Sequence, residues 1–352
     1  MRPDRRYLSV DCRYTQYGCD DAYQDKHLES MRSCLRKVSV VIVNCNGEKV
    51  LPDCLNSIEN QDYPLKEIVV VDNKSTDHSK DICKDFKLLW LEQPDNLGLA
   101  AGYNRGAQET NGDLIFCINN DMRFEKDCIS RLVDAIDSDD IFAADALHYN
   151  WEGDKVIHSA MRFHRDLFYV SFPIPFIKPD LSWLPDRMIE VPWGCAGALM
   201  MDRVKFEGLG GFDSSFFLYF EDADICSRAW MHGWKTIFVP SAIVYHMVGY
   251  DTEYFQRKYG SFKIRFSIEK NAQRFVLKTM GIREIFLNLC NRITHIIVAI
   301  FKRKLSLAWA IIYSSWANIM EMREILSQRK AIFKKAKLDG YQLLKRFIVN
   351  DK

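Results

Sequence analysis

Between residues 38 and 121, short apolar runs alternate with segments of helical periodicity, and this alternation narrows the choice of fold more than any other feature. Four runs are too short and too rich in β-branched residues for helices, which predicts strands buried on both faces. They are residues 38–43 (VSVVIV), 68–71 (IVVV), 88–91 (LLWL) and 114–118 (LIFCI). Apolar residues at three-to-four spacing within 50–58 predict a helix between the first two. Because parallel strands need crossover connections, the pattern predicts a parallel, doubly wound sheet.

Polar clusters follow three of these predicted strands. They are Asn44-Cys45-Asn46, Asp72-Asn73 and Asn119-Asn120-Asp121. The second crossover helix is predicted to begin after Ser75 and Thr76, which are favourable N-cap residues, and the third to span about 99–109. Ligands of such sheets bind outside the carboxyl ends of the strands, so the sequence predicts a nucleotide site at this edge.

A second informative block begins at residue 189. Residues 189–202 (IEVPWGCAGALMMD) predict a strand whose glycines, Gly194 and Gly197, let a ligand or another backbone approach closely. A GGFD turn and the apolar run FFLYF then lead into a predicted helix that starts at about residue 221. This block therefore places acidic residues directly after an apolar segment.

The first turn of that helix would carry Glu221, Asp222 and Asp224. Acidic residues at a helix N-terminus are stabilised by the helix dipole, by about 0.3–1 kcal/mol each when exposed, whether or not they have a function. The apolar residues before them nevertheless predict that at least one is partly buried, with a raised pKa that suits a general base. Asp222 and Asp224 are two residues apart and cannot face the same point, so only one is expected to be the base.

The net charge of +1 conceals an uneven distribution. Residues 252–352 hold 21 Lys and Arg against 7 Asp and Glu, a net charge of +14, so the rest of the chain carries −13.

The eleven cysteines include no C-x-x-C pair, which argues against a zinc ribbon or a redox dithiol, and we interpret them as reduced thiols of a cytosolic protein.

The two ends of the chain carry further expectations. Residues 1–36 are polar and aperiodic, which predicts a poorly ordered extension without a secretory signal, and Met31 is an alternative start of translation. No run reaches eighteen apolar residues, so no membrane-spanning helix is expected.

Seven segments, in one consistent order over roughly 38–250, resemble family 2 glycosyltransferases, in particular the rhamnosyltransferase-like branch of cell-surface polysaccharide assembly. They are VVIVNCNG, EIVVVDNKSTD, DNLGLAAGYNRG, FCINND, GGFD, FEDADICSR and a strand that ends in Tyr245-His246. The resemblance implies the α/β GT-A fold, a Rossmann-like mixed and mainly parallel sheet flanked by helices, with a helical C-terminal extension. It implies a nucleotide-binding half (37–125), an acceptor-binding half (126–250) and a basic amphipathic helical region (251–352).

The same resemblance implies an activity and a set of site residues. The activity is inverting transfer of a sugar from a dTDP- or UDP-linked donor to a hydroxyl of a glycan or lipid-linked saccharide acceptor, with Mg²⁺ or Mn²⁺ as cofactor. Asp222 would be the catalytic base, and Asp121 and His246 would be metal ligands. Asp72 would bind the nucleotide base. The residues implied at the nucleotide sugar are Asn44, Asn46, Asp72, Asn73, Asn96, Gly98, Asn104, Asn120, Trp193, Gly194 and Glu221.

The chain departs from the family pattern at the metal motif, where Asn119-Asn120-Asp121 replaces D-x-D. One acid fewer predicts weaker metal affinity, since hard divalent cations prefer charged oxygen ligands. Aromatic residues common in the family are absent at Cys45 and Leu99, which leaves stacking on the base or sugar open.

Several assignments have alternatives. Asp72 could simply cap the loop after its strand, His246 could be an ordinary strand-end residue, and Trp193 could be a core aromatic. Glu221 or Asp224 could replace Asp222 as the base.

A catalytically weak member that binds a glycan or a partner protein remains the alternative function. A nicotinamide dehydrogenase is excluded because no G-x-G-x-x-G follows the first strand, and a sugar-phosphate nucleotidyltransferase because its Gly-rich, Arg-containing loop is missing.

The C-terminal region predicts a membrane contact. Five apolar residues fall on one helical face; they are Ile285, Leu289, Ile293, Ile296 and Ile300. Lys302-Arg303-Lys304 follows, and residues 305–319 add Trp309, Tyr313 and Trp316, types that favour the membrane–water boundary. The prediction is a peripheral enzyme on the cytoplasmic face of an anionic membrane, with no nucleic-acid partner. The alternative is an ordinary amphipathic helix packed on the catalytic domain.

Overall fold

The structure is a computed structural model that describes residues 35–161, 163–166, 169–171, 184–247 and 250–349. Side chains are described outside 162–183, 248–259 and 348–352. The expected N-terminal extension and the alternative start at Met31 lie outside the described residues, apart from positions 35 and 36.

The main sheet combines parallel and antiparallel strands in the order β10-β12-β6-β11-β4-β1-β2-β3, with β5 paired to β12 and β7 to β6. Its strands are β1 (Val38–Asn44), β2 (Leu65–Asp72), β3 (Leu89–Glu92), β4 (Leu114–Asn119), β5 (Met122–Phe124), β6 (Ile141–Asn150), β7 (Val156–His158), β10 (Ile189–Val191), β11 (Ala198–Asp202) and β12 (Lys235–His246). A second sheet joins β8 (Phe163–Asp166), β9 (Tyr169–Ser171) and β13 (Ile348–Val349).

Helices connect these strands and form the C-terminal region. They are α1 (Leu51–Glu59), α2 (Ser79–Ile82), α3 (Leu99–Gln108), α4 (Cys128–Ala135), α5 (Arg203–Gly208), α6 (Glu221–Met231), α7 (Tyr250–Thr279), α8 (Ile282–Phe301), α9 (Leu305–Met320), α10 (Met322–Lys335) and α11 (Gly340–Phe347). The run α7 is interrupted at Gly260, whose φ of +76° is not helical.

The first half of the sheet has the predicted topology. Strands β3, β2, β1 and β4 are mutually parallel, with helices as their crossovers. Beyond β4 the direction changes, because β11 runs antiparallel to both β4 and β6, while β6 and β12 are parallel. The outcome is the predicted mixed, mainly parallel α/β sheet. Alternate residues of β1 enter different apolar clusters, Val41 and Val43 one cluster and Val40 and Ile42 the other, so the core lies on both faces of the sheet.

Three sequence predictions about local structure are wrong. Strand β3 is partly exposed rather than buried on both faces, because it is the edge strand of the sheet. Residues 189–202 form β10 and β11, separated by 192–197, instead of one strand. Helix α2 starts at Ser79 without a side-chain cap, because the hydroxyl of Ser75 is bonded to the carboxylate of Asp72.

Helices α8 and α9 expose apolar side chains and bury polar ones. Exposed apolar residues recur every three or four positions; they are Ile282, Phe286, Leu289, Ile293, Ile297 and Ile300 on α8, and Leu305, Trp309, Ile312, Trp316 and Ile319 on α9. Asn288 and Arg292 of α8 and Ser314 and Asn318 of α9 are buried. The predicted face is therefore partly right, although Ile285 packs against the core. We name the exposed set the apolar face.

The expectation that no helix spans a membrane stays a prediction. By length and composition alone, α8 is long and apolar enough to cross one. Polar and charged residues interrupt the apolar run of residues 282–301, so a search for eighteen consecutive apolar positions misses it. Arg292, in the middle of the helix, is one of them.

Candidate active site

The predicted polar clusters meet at the carboxyl ends of β1, β2 and β4. The buried amide of Asn44 donates to Oδ1 of Asp72 at 2.9 Å and to Oγ of Ser75 at 3.1 Å, and its oxygen accepts from Asn120 at 2.7 Å. A Cβ at Gly47 would lie 2.3 Å from the side chains of Asn44 and Asn120, so only glycine fits here. Through its amide donor and its oxygen acceptor, Asn44 therefore fixes three strand ends to one another.

Asp72 has the capping geometry that the sequence left open. Its Oδ2 accepts the Ser75 backbone N–H at 2.8 Å, and its Oδ1 accepts the Ser75 hydroxyl and the Asn44 amide. Asn46 has a left-handed φ of 55° and accepts the Thr76 N–H at 2.7 Å. Both residues thus shape the loop after β2, and their contact with a nucleotide stays a prediction.

A cleft beside this loop brings four of the predicted residues together. It is lined by Asn73, Asn96, Gly98 and Asn120, together with Val43, Cys45, Leu99, Phe217 and Leu218. Gly98 has a φ of +86°, and a Cβ there would lie 2.2 Å from the carbonyl oxygen of Phe217. Asn73 donates to the Gly98 carbonyl at 3.2 Å, while its own Oδ1 has no partner among the described residues. This cleft is where the structure concentrates the predicted nucleotide-sugar residues.

Asn104 does not line that cleft. Its amide donates to the Phe212 carbonyl at 2.8 Å and its oxygen accepts the Phe212 N–H at 2.9 Å. A Cβ at Gly211, where φ is +71°, would lie 2.6 Å from Oδ1 of Asn104. Asn104 therefore holds the GGFD turn against α3, a role that the sequence did not reveal.

Asp121 and His246 are neighbours, although 125 positions separate them in the sequence. Oδ2 of Asp121 lies 3.2 Å from Nε2 of His246, because β5 pairs with the end of β12. The Asp121 side chain is buried, and its Oδ1 has no hydrogen-bond partner within the described part of the chain. A buried carboxylate oxygen without a partner is costly, so these two residues fit a divalent cation as its ligands.

The acidic start of α6 lies next to a strained turn. Tyr219 and Phe220 both have left-handed φ values, 69° and 72°, which are rare for aromatic residues. Asn271 of α7 donates to the carbonyl oxygens of Leu218 and Tyr219, at 2.8 and 3.0 Å, and so holds the turn in place. Strained backbone of this kind is characteristic of functional sites.

Glu221 and Asp222 have raised pKa values. Burial, reinforced by the charge of Asp222, raises the pKa of Glu221 to about 8, and its Oε2 has no partner among the residues described. Burial raises the pKa of Asp222 to about 6, although the Ala223 and Ala196 N–H groups and the charge of His158 oppose the rise. Near neutral pH Glu221 is therefore largely protonated, whereas Asp222 is largely ionised and able to accept a proton.

Asp224 forms ion pairs with neighbouring basic residues. It is fully buried and pairs with Arg228 at 2.8 Å and with Lys278 at 2.7 Å. Lys278 also reaches Asp213 of the GGFD turn at 2.6 Å. Although burial raises the pKa of the Asp213 carboxyl, the charges of Lys278 and Arg274 outweigh this and hold that pKa well below its usual range. Asp224 thus anchors α6 to α7, which favours Asp222 as the base.

Trp193 and Gly194 have roles in packing. Trp193 exposes 6% of its surface and belongs to the larger apolar cluster, which is the alternative that the sequence left open. A Cβ at Gly194 would lie 2.6 Å from Cβ of Asp145, so the glycine allows this close approach. The role of Trp193 as a sugar platform has no exposed ring face to support it in this structure.

Some residues around the site were not predicted from the sequence. Asn271, which holds the turn before α6, lies about fifty positions after it, and no local pattern connects the two. Tyr103 donates from its hydroxyl to Oδ1 of Asn119 at 2.7 Å, and burial, followed by nearby charges that include Glu221 and Asp121, raises its pKa. The end of β4 and the start of α6 therefore meet around this phenol.

Solved structures share this fold. GalNAc-T7, solved with UDP, GalNAc and Mn²⁺, matches with a TM-score of 0.54 at 20% identity over 71% of this chain and 49% of that one. The mannosyltransferase PcManGT from Pyrobaculum calidifontis, solved with GDP-Man and Mn²⁺, matches with a TM-score of 0.52 at 16% identity over 93% of this chain and 91% of that one. The protein therefore has the GT-A fold, as the sequence predicted.

Sequence comparison places it more narrowly. The model of glycosyl transferase family 2 matches residues 39–224, just over half of the chain, which therefore belongs to this family. Rhamnosyltransferase WbbL of Escherichia coli is 26% identical over 234 residues, 63% of this chain and 87% of WbbL. The low-salt glycan biosynthesis hexosyltransferase Agl10 of Haloferax volcanii is 24% identical over 58% of this chain and 65% of its own length. Glycosyltransferase GlyA of Streptococcus pneumoniae is 38% identical, but over only 27% of this chain and 14% of GlyA.

Proposed function

We propose that this protein transfers a sugar, with inversion, from a dTDP- or UDP-linked donor to a hydroxyl of a glycan or lipid-linked acceptor in cell-surface polysaccharide assembly. The observation that carries the proposal is the ionised, partly buried Asp222 beside a largely neutral Glu221 at the start of α6. The name of the relative WbbL supports transfer of a sugar, and the name of Agl10 supports a role in glycan biosynthesis. The ligands solved with GalNAc-T7 and PcManGT support a nucleotide-sugar donor.

Inversion requires a single displacement. The acceptor oxygen forms a bond to the anomeric carbon while the bond from that carbon to the phosphate oxygen breaks, and the acceptor proton moves to a base on the opposite side. A carboxyl group with a pKa of about 6 is well matched to this step, because it is ionised near pH 7 yet still basic. Glu221, protonated at that pH, is suited to donate a hydrogen bond to the sugar or the acceptor instead.

Asp121 and His246 are the residues that would hold Mg²⁺ or Mn²⁺ in this proposal. The bound ion would neutralise the charge that develops on the leaving diphosphate. The buried Asp121 Oδ1 without a described partner supports the assignment, as does the proximity of His246. The alternative, a catalytically weak glycan-binding member, has less support, because binding alone does not account for a carboxyl pair with raised pKa values directly after a strained turn.

The test replaces the base and its neighbour separately. Asp222→Asn is expected to keep donor binding within a few-fold, measured by thermal shift with dTDP- and UDP-sugars, while turnover falls by about 10²–10⁴. Glu221→Gln should keep more activity, and the exposed Asp139→Asn serves as the control. If Asp222→Asn transfers the sugar at the wild-type rate while Glu221→Gln is inactive, Glu221 is the base and the assignment of Asp222 is wrong.

We also propose that the enzyme binds the cytoplasmic face of an anionic membrane through the apolar face of α8 and α9. Ile282 exposes 84% of its surface and Trp316 exposes 59%, and removal of these apolar side chains from water is favourable. Lys302, Arg303 and Lys304 are exposed at the turn between the two helices. Each basic residue near an anionic bilayer contributes about 1 kcal/mol, so charge and apolar area act together.

Contacts of α8 support attachment over spanning. Nη1 of Arg292 lies 3.3 Å from Glu269 of α7, and its Nη2 donates to Ser314 of α9 at 2.6 Å. The middle of α8 is thereby fixed to α7 and α9, and only the opposite face is available to lipid. A groove lined by Arg265 and Lys304, between α7 and the α8–α9 turn, lies beside this face and suits the phosphate of a lipid-linked acceptor.

The membrane proposal is tested by co-sedimentation with liposomes that contain phosphatidylglycerol, and with neutral ones. Binding is expected with the anionic liposomes at low salt and should weaken when the Debye length falls from about 30 Å at 0.01 M to about 3 Å at 1 M. The full-length variants Phe286→Ser and Trp316→Ser should bind less. Val204→Ser, 77% exposed but on α5, should bind as the wild type does. Equal binding by all three variants would assign the attachment to another surface.

A further inference from the structure

A second group of metal-ligating side chains lies outside the site described above. Asp145 and His148 are on β6, and His158 is on β7, where it is the cross-strand partner of His148. One ligand atom from each of the three residues lies within 4.8 Å of the other two. The imidazole rings of His148 and His158 are 4.7 Å apart between centroids. The hairpin β6–β7 therefore brings three potential ligands to one point.

His148 is the unusual member of this group. Its side chain is fully buried, and neither Nδ1 nor Nε2 has a hydrogen-bond partner among the described residues. A metal ion binds an imidazole through a ring nitrogen, so a buried ring with an unpaired nitrogen is available as a ligand.

Asp145 supplies a buried negative charge at the same point. It has no exposed surface, its Oδ2 lies 2.9 Å from Nε2 of His158, and its Oδ1 accepts the Cys195 N–H at 3.0 Å. Burial of an ionised carboxylate is costly unless a cation compensates its charge. His158 is 15% exposed, which gives an ion a path to the group from solvent.

We propose that Asp145, His148 and His158 form a binding site for a divalent transition-metal ion, with Zn²⁺ as its representative. Two imidazoles and one carboxylate form the ligand set that zinc takes in three-ligand sites, whereas Mg²⁺ prefers oxygen ligands. Zinc bonds of about 2.0–2.2 Å place ligand atoms roughly 3.5 Å apart, so atoms that now lie within 4.8 Å of one another would have to rearrange by about 1 Å. The ring of His148 lies 6.3 Å from that of His246, so this site is adjacent to, and separate from, the proposed Asp121 site.

An ion here would fix the segment that touches the catalytic base. Asp145 accepts a hydrogen bond from the Cys195 N–H, and the next residue, Ala196, donates its N–H to Oδ2 of Asp222 at 3.5 Å. Gly194 packs directly on the Asp145 side chain. Restraint of Asp145 by a metal ion would therefore restrain residues 194–196 beside Asp222. Metal binding at this hairpin is independent of the stereochemistry and the donor of the proposed transfer reaction.

The test measures bound metal in the full-length protein and needs no activity assay. The chain is stripped with a chelator, mixed with Zn²⁺ in excess Mg²⁺, separated by gel filtration and analysed for metal content. The wild type is expected to retain about one equivalent of zinc. His158→Gln and His148→Gln should retain at least about tenfold less. The exposed His295→Ala is the matched control and should retain zinc fully.

Two further measurements keep the outcome decisive. Asp121→Asn should retain zinc, and its loss would mean that the ion occupies the Asp121–His246 site, which would overturn the proposal. Because His148 is buried and its variant could unfold, the partly exposed His158→Gln is checked by circular dichroism, and Co²⁺ is used as a spectroscopic probe. The wild type should give visible Co²⁺ bands that folded His158→Gln lacks. No retained zinc in the wild type, or equal retention in His158→Gln, would also refute the site.

Discussion

Lys278 is the residue whose replacement tests the architecture of the site most directly. Its ammonium group is almost fully buried and pairs with Asp213 at 2.6 Å and with Asp224 at 2.7 Å, so it connects the GGFD turn, α6 and α7. Lys278→Met keeps most of the side-chain volume but removes the charge. Two buried carboxylates would then each lose one of their cationic partners.

The expected loss of stability depends on the partners that the two carboxylates keep. Removal of one partner of a buried ion pair costs about 3–5 kcal/mol, because it leaves an uncompensated buried charge. Asp224 keeps Arg228 at 2.8 Å, and Asp213 keeps Arg274 at 3.5 Å. Since neither carboxylate is left without a partner, we expect the lower end of the range, a fall of about 3 kcal/mol in the free energy of unfolding.

The assay is urea denaturation followed by tryptophan fluorescence. Arg105→Met, which breaks an exposed pair with Glu109 one turn away on α3, is the control and should cost about 0.3–0.5 kcal/mol. Asp213→Asn in the Lys278→Met background should restore part of the stability, because one of the poorly compensated charges is removed. A Lys278→Met loss no larger than that of the control, or no rescue by Asp213→Asn, would refute the account of a buried charge network.

Two other measurements address the chemistry. Turnover should rise with pH through about 6, as Asp222 loses its proton, and fall about tenfold per unit below that value; a flat profile between pH 5 and 7 would exclude a base with this pKa. Asp121→Asn, or excess chelator on the wild type, should lower turnover by at least about 10²-fold, since the metal supplies several kcal/mol of charge stabilisation. Full activity in the presence of chelator would remove the metal from the mechanism.

Local and periodic features of the site could be read from the sequence. The strands and their polar ends follow from short β-branched runs, and the acidic first turn of α6 follows from the change of pattern at residue 221. The proposed zinc site could not be predicted without the strand register, because His148 and His158 are neighbours only when β6 and β7 pair. The partners of Lys278 lie 54 and 65 positions away, so charge pairing at that distance depends on the packed fold. The partial exposure of β3 likewise depends on its position at the edge of the sheet, and the residues of β3 alone do not predict that position.

Three consecutive residues of α7 connect surfaces with different tasks. Glu269 contacts Arg292 of α8, the carbonyl of Lys270 accepts the amide of Asn318 of α9, and Asn271 holds the turn before Asp222. The two helices with the apolar face and the backbone that precedes the proposed base are therefore attached to a single helical turn of α7. A displacement of α8 or α9 would reach the turn before Asp222 through these hydrogen bonds.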